Sequence, residues 1–312
     1  MNDDPLISVV VPTFNAVGFI AATLDSILGQ TWKSLDVIVV DDGSSDGTAE
    51  FVETRYPQVR LLRQANSGVC AARNLGLEHA VGDFICFVDH DDIWHREKLS
   101  RQVGEFKRNP GIGLVYSKFI WWRTGEDGVF PAPETILEEY PEGGLDEDFS
   151  GWIYHLLLLD CWVLTSTALI RRELMVDAGG FDVALPYSED WDLWLRLARV
   201  CEFSKLKAGL VLYRQHPTQG SRKWRAIDYR TRLLEGAVAR WGLSSPGGGS
   251  LPARQVWAKI GYYHASYGFD CLRANEMASA RRSFWRAWRC DPMRLKYIGY
   301  IARGYLGWRP QW

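Results

Sequence analysis

Three short apolar runs, each ending in a polar cluster, constrain this chain more than any other feature of its sequence. Residues 7–11 lead into Pro12-Thr13-Phe14-Asn15, residues 37–40 into Asp41-Asp42-Gly43-Ser44, and residues 84–88 into Asp89-His90-Asp91-Asp92. Runs of this length and character read as strands buried on both faces. Helical spacing appears between them, over residues 19–30, 48–56 and 69–80, with one more strand expected at 59–62. The alternation predicts an α/β fold, a mostly parallel central sheet with helices on both faces. Ligands bind such sheets beyond the carboxyl ends of the strands. The three polar clusters therefore mark one edge of the sheet as the expected site.

The rest of the chain is less regular. Residues 111–215 mix short strands at 114–117, 168–171 and 210–214 with a helix from Glu189 to about Val200. Residues 151–170 are rich in Leu and Trp, but His155, Asp160 and Thr165-Ser166-Thr167 interrupt them. A spanning helix needs about 20 almost uncharged residues, so this stretch reads as a buried helix followed by a strand. After Gly220 the strand signals stop. A helix is expected over 224–241, a loop over 244–250 and helix again from Pro252, which places a domain boundary near residue 220. Ala280, Phe284, Ala287 and Pro292, with Tyr267-Gly268 before them, have the spacing of one tetratricopeptide-like helix pair. Arg281, Arg282, Arg286, Arg289, Arg294, Lys296 and Arg303 surround Phe284, Trp285, Trp288, Tyr297 and Tyr300 there. That mixture suits either a packed helical appendage or peripheral contact with an anionic membrane.

Bulk properties narrow the function classes. With 312 residues and 47% hydrophobic content there is room for one large domain and a smaller one. A net charge of -2 gives no footprint for nucleic acid. The six cysteines form no C-x-x-C and read as reduced thiols of a cytoplasmic protein. Residues 1–6 are polar, so no secretory signal is expected there. Most of the 15 Trp residues are expected in the core.

Asp89-x-Asp91-Asp92 is the strongest single motif. Close carboxylates repel unless a cation neutralises them, and hard oxygen donors select Mg²⁺ or Mn²⁺. A calcium loop of the EF-hand type would need Gly at Trp94 and Glu at Ser100. A solvated acidic turn would not be followed by Ile93-Trp94. The Asp41-Asp42 pair has acceptors for a base or ribose, with Gly43 and Gly47 turning the chain; a plain turn fits those residues equally well. No G-x-G-x-x-G follows the first strand, which argues against a dinucleotide cofactor. Glu189-Asp190 opens a helix, where acids serve as caps or as partners of the helix dipole. The functional alternative makes Asp190 a general base.

Taken together, these residues resemble glycosyltransferase family 2, the inverting GT-A group. The matching segments are Ser8 to Asn15, Val39 to Thr48, Asn66 to Gly76, Gly82 to Trp94, Gly179-Gly-Phe-Asp182 and Ser188-Glu-Asp-Trp191, in family order over about 210 residues. The resemblance implies a GT-A catalytic domain over 1–220 and a helical C-terminal region over 221–312. It implies that Pro12, Thr13, Phe14, Asn15 and Asp42 hold the base and ribose, with Asp41 beside them and Arg73 near the base or diphosphate. Asp89 and Asp91 form the D-x-D element, Asp91 as the better metal ligand, and His216 fits loosely the late histidine of some relatives. Asp190 is the implied base, with Glu189 next in line. The donor would be a nucleotide-diphosphate sugar and the acceptor a saccharide or lipid-linked saccharide, with the enzyme in the cytoplasm or peripheral on the inner face of the membrane. Two rivals remain, a catalytically silent scaffold acting through its helical tail and a nucleotidyltransferase.

Overall fold

The computed structural model describes residues 4–125, 128–139, 143–217, 219–220 and 224–305, with only the backbone at 303–304. Contacts divide the chain into two compact units, Met1–Ile153 with Trp162–Pro217, and Tyr154–Cys161 with Thr218–Trp312.

The first unit is built on one eight-stranded sheet. Its strands are β1 (Ile7–Thr13), β2 (Leu35–Asp41), β3 (Arg60–Arg63), β4 (Phe84–Phe87), β5 (Ile93–Trp94), β6 (Ile112–Trp122), β7 (Leu169–Arg171) and β8 (Glu202–Arg214). Their order is β3-β2-β1-β4-β7-β6-β8-β5. β1 pairs in parallel with β2 and β4, β2 with β3, and β6 with β8. β7 runs antiparallel between β4 and β6, and β5 antiparallel on β8. Every residue of β1 is buried, as its apolar run requires when helices cover both faces. Helix Val69–His79 lies so close to β1 that a Cβ on Gly76 would fall 2.3 Å from Val10 Cγ1.

Two expectations need correction. Residues 151–170 do hold a helix and then a strand, but the helix is short, Tyr154–Leu157, and Thr165–Thr167 is a 3-10 turn before β7. Thr165, Ser166 and Thr167 are buried in the first unit, where Ser166 hydrogen-bonds Asp92, whereas His155 and Asp160 belong to the second unit and bond Ser245 and Lys259. β6 and β8 are far longer than the short strands expected at 114–117 and 210–214, because each supplies the other's pairing partners over most of its length. Among the described Trp residues only Trp94, Trp122, Trp191 and Trp194 are buried, while Trp121, Trp162, Trp224 and Trp285 are exposed. No described helix is long and apolar enough to cross a membrane.

The second unit contains helices Tyr229–Trp241, Ala253–Arg273, Met277–Cys290 and Lys296–Tyr305. Asp228 caps the first by accepting from the Thr231 N–H. Tyr154 ties its short helix to this unit by donating to the carbonyls of Ala237 and Gly242. Gly268 lies under the Phe284 ring, where a Cβ would meet Cε1 at 2.6 Å. Ala265, Leu272, Ala280, Phe284, Ala287, Tyr297 and Ile301 belong to this unit's own apolar core.

Candidate active site

The carboxyl ends of β1 and β2 meet at Thr13 and Asp41, which are register partners. The loops beyond them are stitched together. Asn15, at φ 49°, accepts from the Ser45 N–H and gives its own N–H to Ser44 Oγ, and Val17 N–H donates to Asp46. Asp42 is buried and spends both oxygens on the following loop, accepting from Gln64 Nε2, Ser67 N–H and Gly68 N–H. Asp41 differs. Its Oδ2 accepts from Ser44 N–H, but its Oδ1 is buried with no hydrogen-bond partner, as is Thr13 Oγ1. Buried polar atoms without partners are rare in native proteins, and this pair is the state that a ligand's polar edge would relieve. Asp41 thus keeps an oxygen without a hydrogen-bond partner, whereas both Asp42 oxygens are engaged by the loop. Pro12 is part of β1, and Phe14 just beyond it is 43% exposed.

The second cluster follows β4. Asp91 Oδ2 lies 2.7 Å from His216 Nε2, and the His216 ring packs on Phe19 at 4.6 Å between centroids. β8 delivers this histidine: Arg214, at its end, donates Nε–H to the Asp91 carbonyl and stacks over Trp122 at 4.2 Å. Asp92 is fully buried and accepts from Ser166 Oγ–H and the Arg214 N–H. Burial, with the charges of Asp91 and Asp89, pushes the Asp92 carboxyl well above the usual range. Beneath the cluster, Trp94 Nε1–H donates to the Ser166 carbonyl, and the buried Lys98 ammonium sits 3.9 Å from the Trp94 ring centre. Sequence reasoning missed Ser166, Arg214 and Lys98. The only signal for Ser166 was its place in a polar triplet inside an apolar stretch.

Arg73 joins the two ends of the site. It is buried on helix Val69–His79, donates Nη2–H to Asp89 at 2.7 Å and Nη1–H to Glu189 at 2.8 Å, and lies 5.0 Å from the Phe181 ring centre. It is thus held between two acids, with its Nε buried and without a hydrogen-bond partner. Glu189 and Asp190 begin helix Glu189–Leu197, entered through Ser188 at φ 63°, a left-handed conformation uncommon for a non-glycine residue. Burial, then the adjacent Glu189 charge, pushes the Asp190 carboxyl up to about 7; Arg73 and the Trp191 N–H oppose this without cancelling it. The competition between helix terminus and burial is settled in favour of burial.

Of the expected metal ligands the structure brings Asp91 Oδ2 and His216 Nε2 together, while Asp89 Oδ1 is held by Arg73; the one converging trio of ligand-type side chains among the described residues is instead Glu235, His264 and Cys290. Carboxylates and an imidazole nitrogen are suitable ligand types for a divalent cation, and a cation here would relieve the repulsion from Asp91 and Asp89 that adds to burial in raising Asp92. All six cysteines are free thiols.

The Glycosyl transferase family 2 profile matches residues 8–130. The chain is 31% identical to the Escherichia coli UDP-Glc:alpha-D-GlcNAc-diphosphoundecaprenol beta-1,3-glucosyltransferase WfgD, over 70% of this chain and 80% of WfgD. It is 34% identical to the amylovoran biosynthesis glycosyltransferase AmsB of Erwinia amylovora, over 73% of this chain and 76% of AmsB. It spans about a third of the uncharacterized glycosyltransferases of Rickettsia felis (36%) and Rickettsia bellii (33%) that it also matches. The fold is similar to S. aureus TarS 1-349 in complex with UDP-GlcNAc, with a TM-score of 0.65 at 18% identity over 96% of this chain and 89% of that one. It is also similar to the Pyrobaculum calidifontis mannosyltransferase PcManGT in complex with GDP-Man and Mn2+, with a TM-score of 0.54 at 21% identity over 98% and 81%.

Proposed function

The chain belongs to glycosyltransferase family 2, and from that premise we propose that it is an inverting, metal-dependent transferase that moves one sugar from a nucleotide-diphosphate donor to a hydroxyl of a saccharide or lipid-linked saccharide. The observation that carries this reading is Arg73, which links Asp89 of the D-x-D cluster to Glu189 beside Asp190. One buried cation thereby fixes the donor-binding acids and the base in a single constellation. WfgD, whose name gives a UDP-sugar donor and a diphosphoundecaprenol acceptor, supports the lipid-linked class of acceptor. PcManGT, with GDP-Man and Mn2+, supports the cation.

In this reading Thr13 and Asp41 hold the base or ribose through the two atoms that lack partners, while Pro12, Phe14 and Asn15 shape that pocket. Asp91, Asp89 and His216 would hold Mn²⁺ or Mg²⁺. When bound, the cation supplies charge stabilisation to the departing diphosphate. Asp190, with its raised pKa, takes the proton from the attacking hydroxyl. Two other nearby acids are engaged, Asp92 by Ser166 and Glu189 by Arg73. A single displacement with inversion therefore fits better than a double displacement through a carboxylate nucleophile. Residues 1–220 form the catalytic domain and 221–312 a helical region, which brings the enzyme to the inner face of the membrane without spanning it.

A panel of nucleotide sugars, screened for thermal stabilisation with and without Mn²⁺ and then for turnover, tests this reading. Ligands that bind only the folded protein raise its apparent stability. At least one donor should stabilise the protein and support transfer, and excess chelator should abolish transfer. Full activity of metal-free protein in chelator would remove the D-x-D assignment.

A further inference from the structure

The C-terminal helices contain a cavity of about 580 Å³ lined by Glu235, Arg254, Trp257, Arg286, Arg289 and Cys290. Three helices build it. Glu235 comes from Tyr229–Trp241, Arg254 and Trp257 from successive turns of Ala253–Arg273, and Arg286, Arg289 and Cys290 from one face of Met277–Cys290. Gly261 lets the last two helices approach beside it, since a Cβ there would lie 2.9 Å from the Ala287 carbonyl oxygen and 3.1 Å from Cys290 Cβ.

The charges around this cavity do not balance. Arg254, Arg286 and Arg289 make no hydrogen bond or ion pair among the described residues. The one acid in the lining, Glu235, is already engaged, accepting from His264 Nε2 at 2.9 Å. The other ring nitrogen of His264 lies 3.3 Å from Asp228. Like charges three residues apart on a helix destabilise it, so clustering arginines is costly unless an anion fills the space. Guanidinium groups take phosphate oxygens in a two-pronged geometry, and an indole face accepts a ring. Glu235, His264 and Cys290 also bring three ligand-type atoms within 4.8 Å of one another. A cation there would face the arginines, and burial keeps the Cys290 thiol protonated by pushing it up to about 11.

We propose that this cavity binds a phosphate- or diphosphate-bearing ligand, with its anionic oxygens on Arg254, Arg286 and Arg289 and an attached ring or chain against Trp257. The inference stands independently of the transferase reading, because none of these residues belongs to the catalytic edge. Such a group can come from a soluble sugar phosphate or from a lipid diphosphate.

Titration calorimetry on the full chain, at constant ionic strength and with chelator present, separates these cases with pyrophosphate, glucose 1-phosphate and farnesyl diphosphate as probes. Pyrophosphate should bind, and R286A/R289A should weaken it by about tenfold or more, as expected for lost hydrogen bonds to charged groups. Trp257→Ala should weaken the ring- or chain-bearing probes and leave pyrophosphate nearly unchanged. Tighter arginine-dependent binding of farnesyl diphosphate than of glucose 1-phosphate assigns the lipid source, and the reverse order the soluble one. The double variant removes two unpaired like charges from exposed positions, so its melting temperature should match or exceed that of the parent. Unaltered pyrophosphate affinity in that folded variant, or no binding of any probe, would overturn the proposal.

Discussion

Asp190 is where opposing electrostatic influences meet, and its titration links activity to stability. Its carboxyl is raised to about 7 by burial and by Glu189, against about 3.9 for an unfolded aspartate. Between those values the folded protein holds more protons than the unfolded chain, so this group's contribution to stability falls as pH rises through the window. The deprotonated form of this proposed base becomes available over the same range, so kcat/KM should rise toward neutrality. Asp190→Asn removes both effects. We expect it to cost about 10²–10⁴-fold in kcat, with nucleotide affinity nearly unchanged. Its melting temperature should exceed that of the parent by a few degrees at pH 8, with the gap narrowing toward pH 4. A variant keeping more than about a tenth of kcat would move the base elsewhere. Which acids cluster was legible in the sequence, because strand ends in a parallel sheet collect at one edge. Which of Asp41 and Asp42 keeps an unengaged oxygen was not, because the backbone of residues 67–68 and the side chain of Gln64 take those of Asp42.

Helix Val69–His79 is the element that sets the geometry of the site, and Gly76 sets the position of the helix. Arg73 lies nearly one turn before that glycine, so pushing the helix off β1 would draw the guanidinium away from Asp89 and Glu189. A Cβ at Gly76 needs the space that Val10 Cγ1 fills. Gly76→Ala should therefore destabilise the protein by about 1–3 kcal/mol, the usual range for overpacking, and should lower transfer. Adding Val10→Ala vacates that space and should restore part of both, measured by melting temperature and turnover. No rescue by the second substitution would mean that the helix is not seated by this contact. The first four strands and their helices were readable because most of their apolar runs are unbroken and alternate with helical spacing. β6 and β8 were foreshortened in the sequence reading. The parts missed, Lys118 to Trp122 of β6 and Glu202 to Gly209 of β8, pair with partners about ninety residues away, and no local pattern encodes such a partner. The shortness of the helix within residues 151–170 could not be read either, since Ser166 answers to Asp92, a buried partner distant in sequence.

For the whole molecule, a net charge of -2 conceals a strong asymmetry. Between residues 277 and 305 there are seven basic residues (Arg281, Arg282, Arg286, Arg289, Arg294, Lys296, Arg303) and one acid, Asp291. Helix Lys296–Tyr305 packs inward through Tyr297 and Ile301 yet also leaves Ile298 and Tyr305 exposed, and Met293, Leu295 and Trp285 are exposed nearby. Apolar side chains held at the surface among cations suit the interface of an anionic bilayer. Each basic residue near such a surface contributes about 1 kcal/mol, an attraction that falls off within a Debye length and is screened by salt. The remaining basic and aromatic residues of the sequence argument, 306–312, lie outside the described residues. We expect the protein to co-sediment with vesicles rich in anionic lipid at low salt, to release at about 0.5 M salt, and to ignore neutral vesicles. R281E/R282E should weaken that binding without altering transfer to a soluble acceptor, because neither residue belongs to the catalytic edge or lines the arginine cavity. Equal and negligible binding to both vesicle types would reduce the basic residues to a solvated face of a packed helical unit. A lipid-linked acceptor would then have to be reached by diffusion from solution.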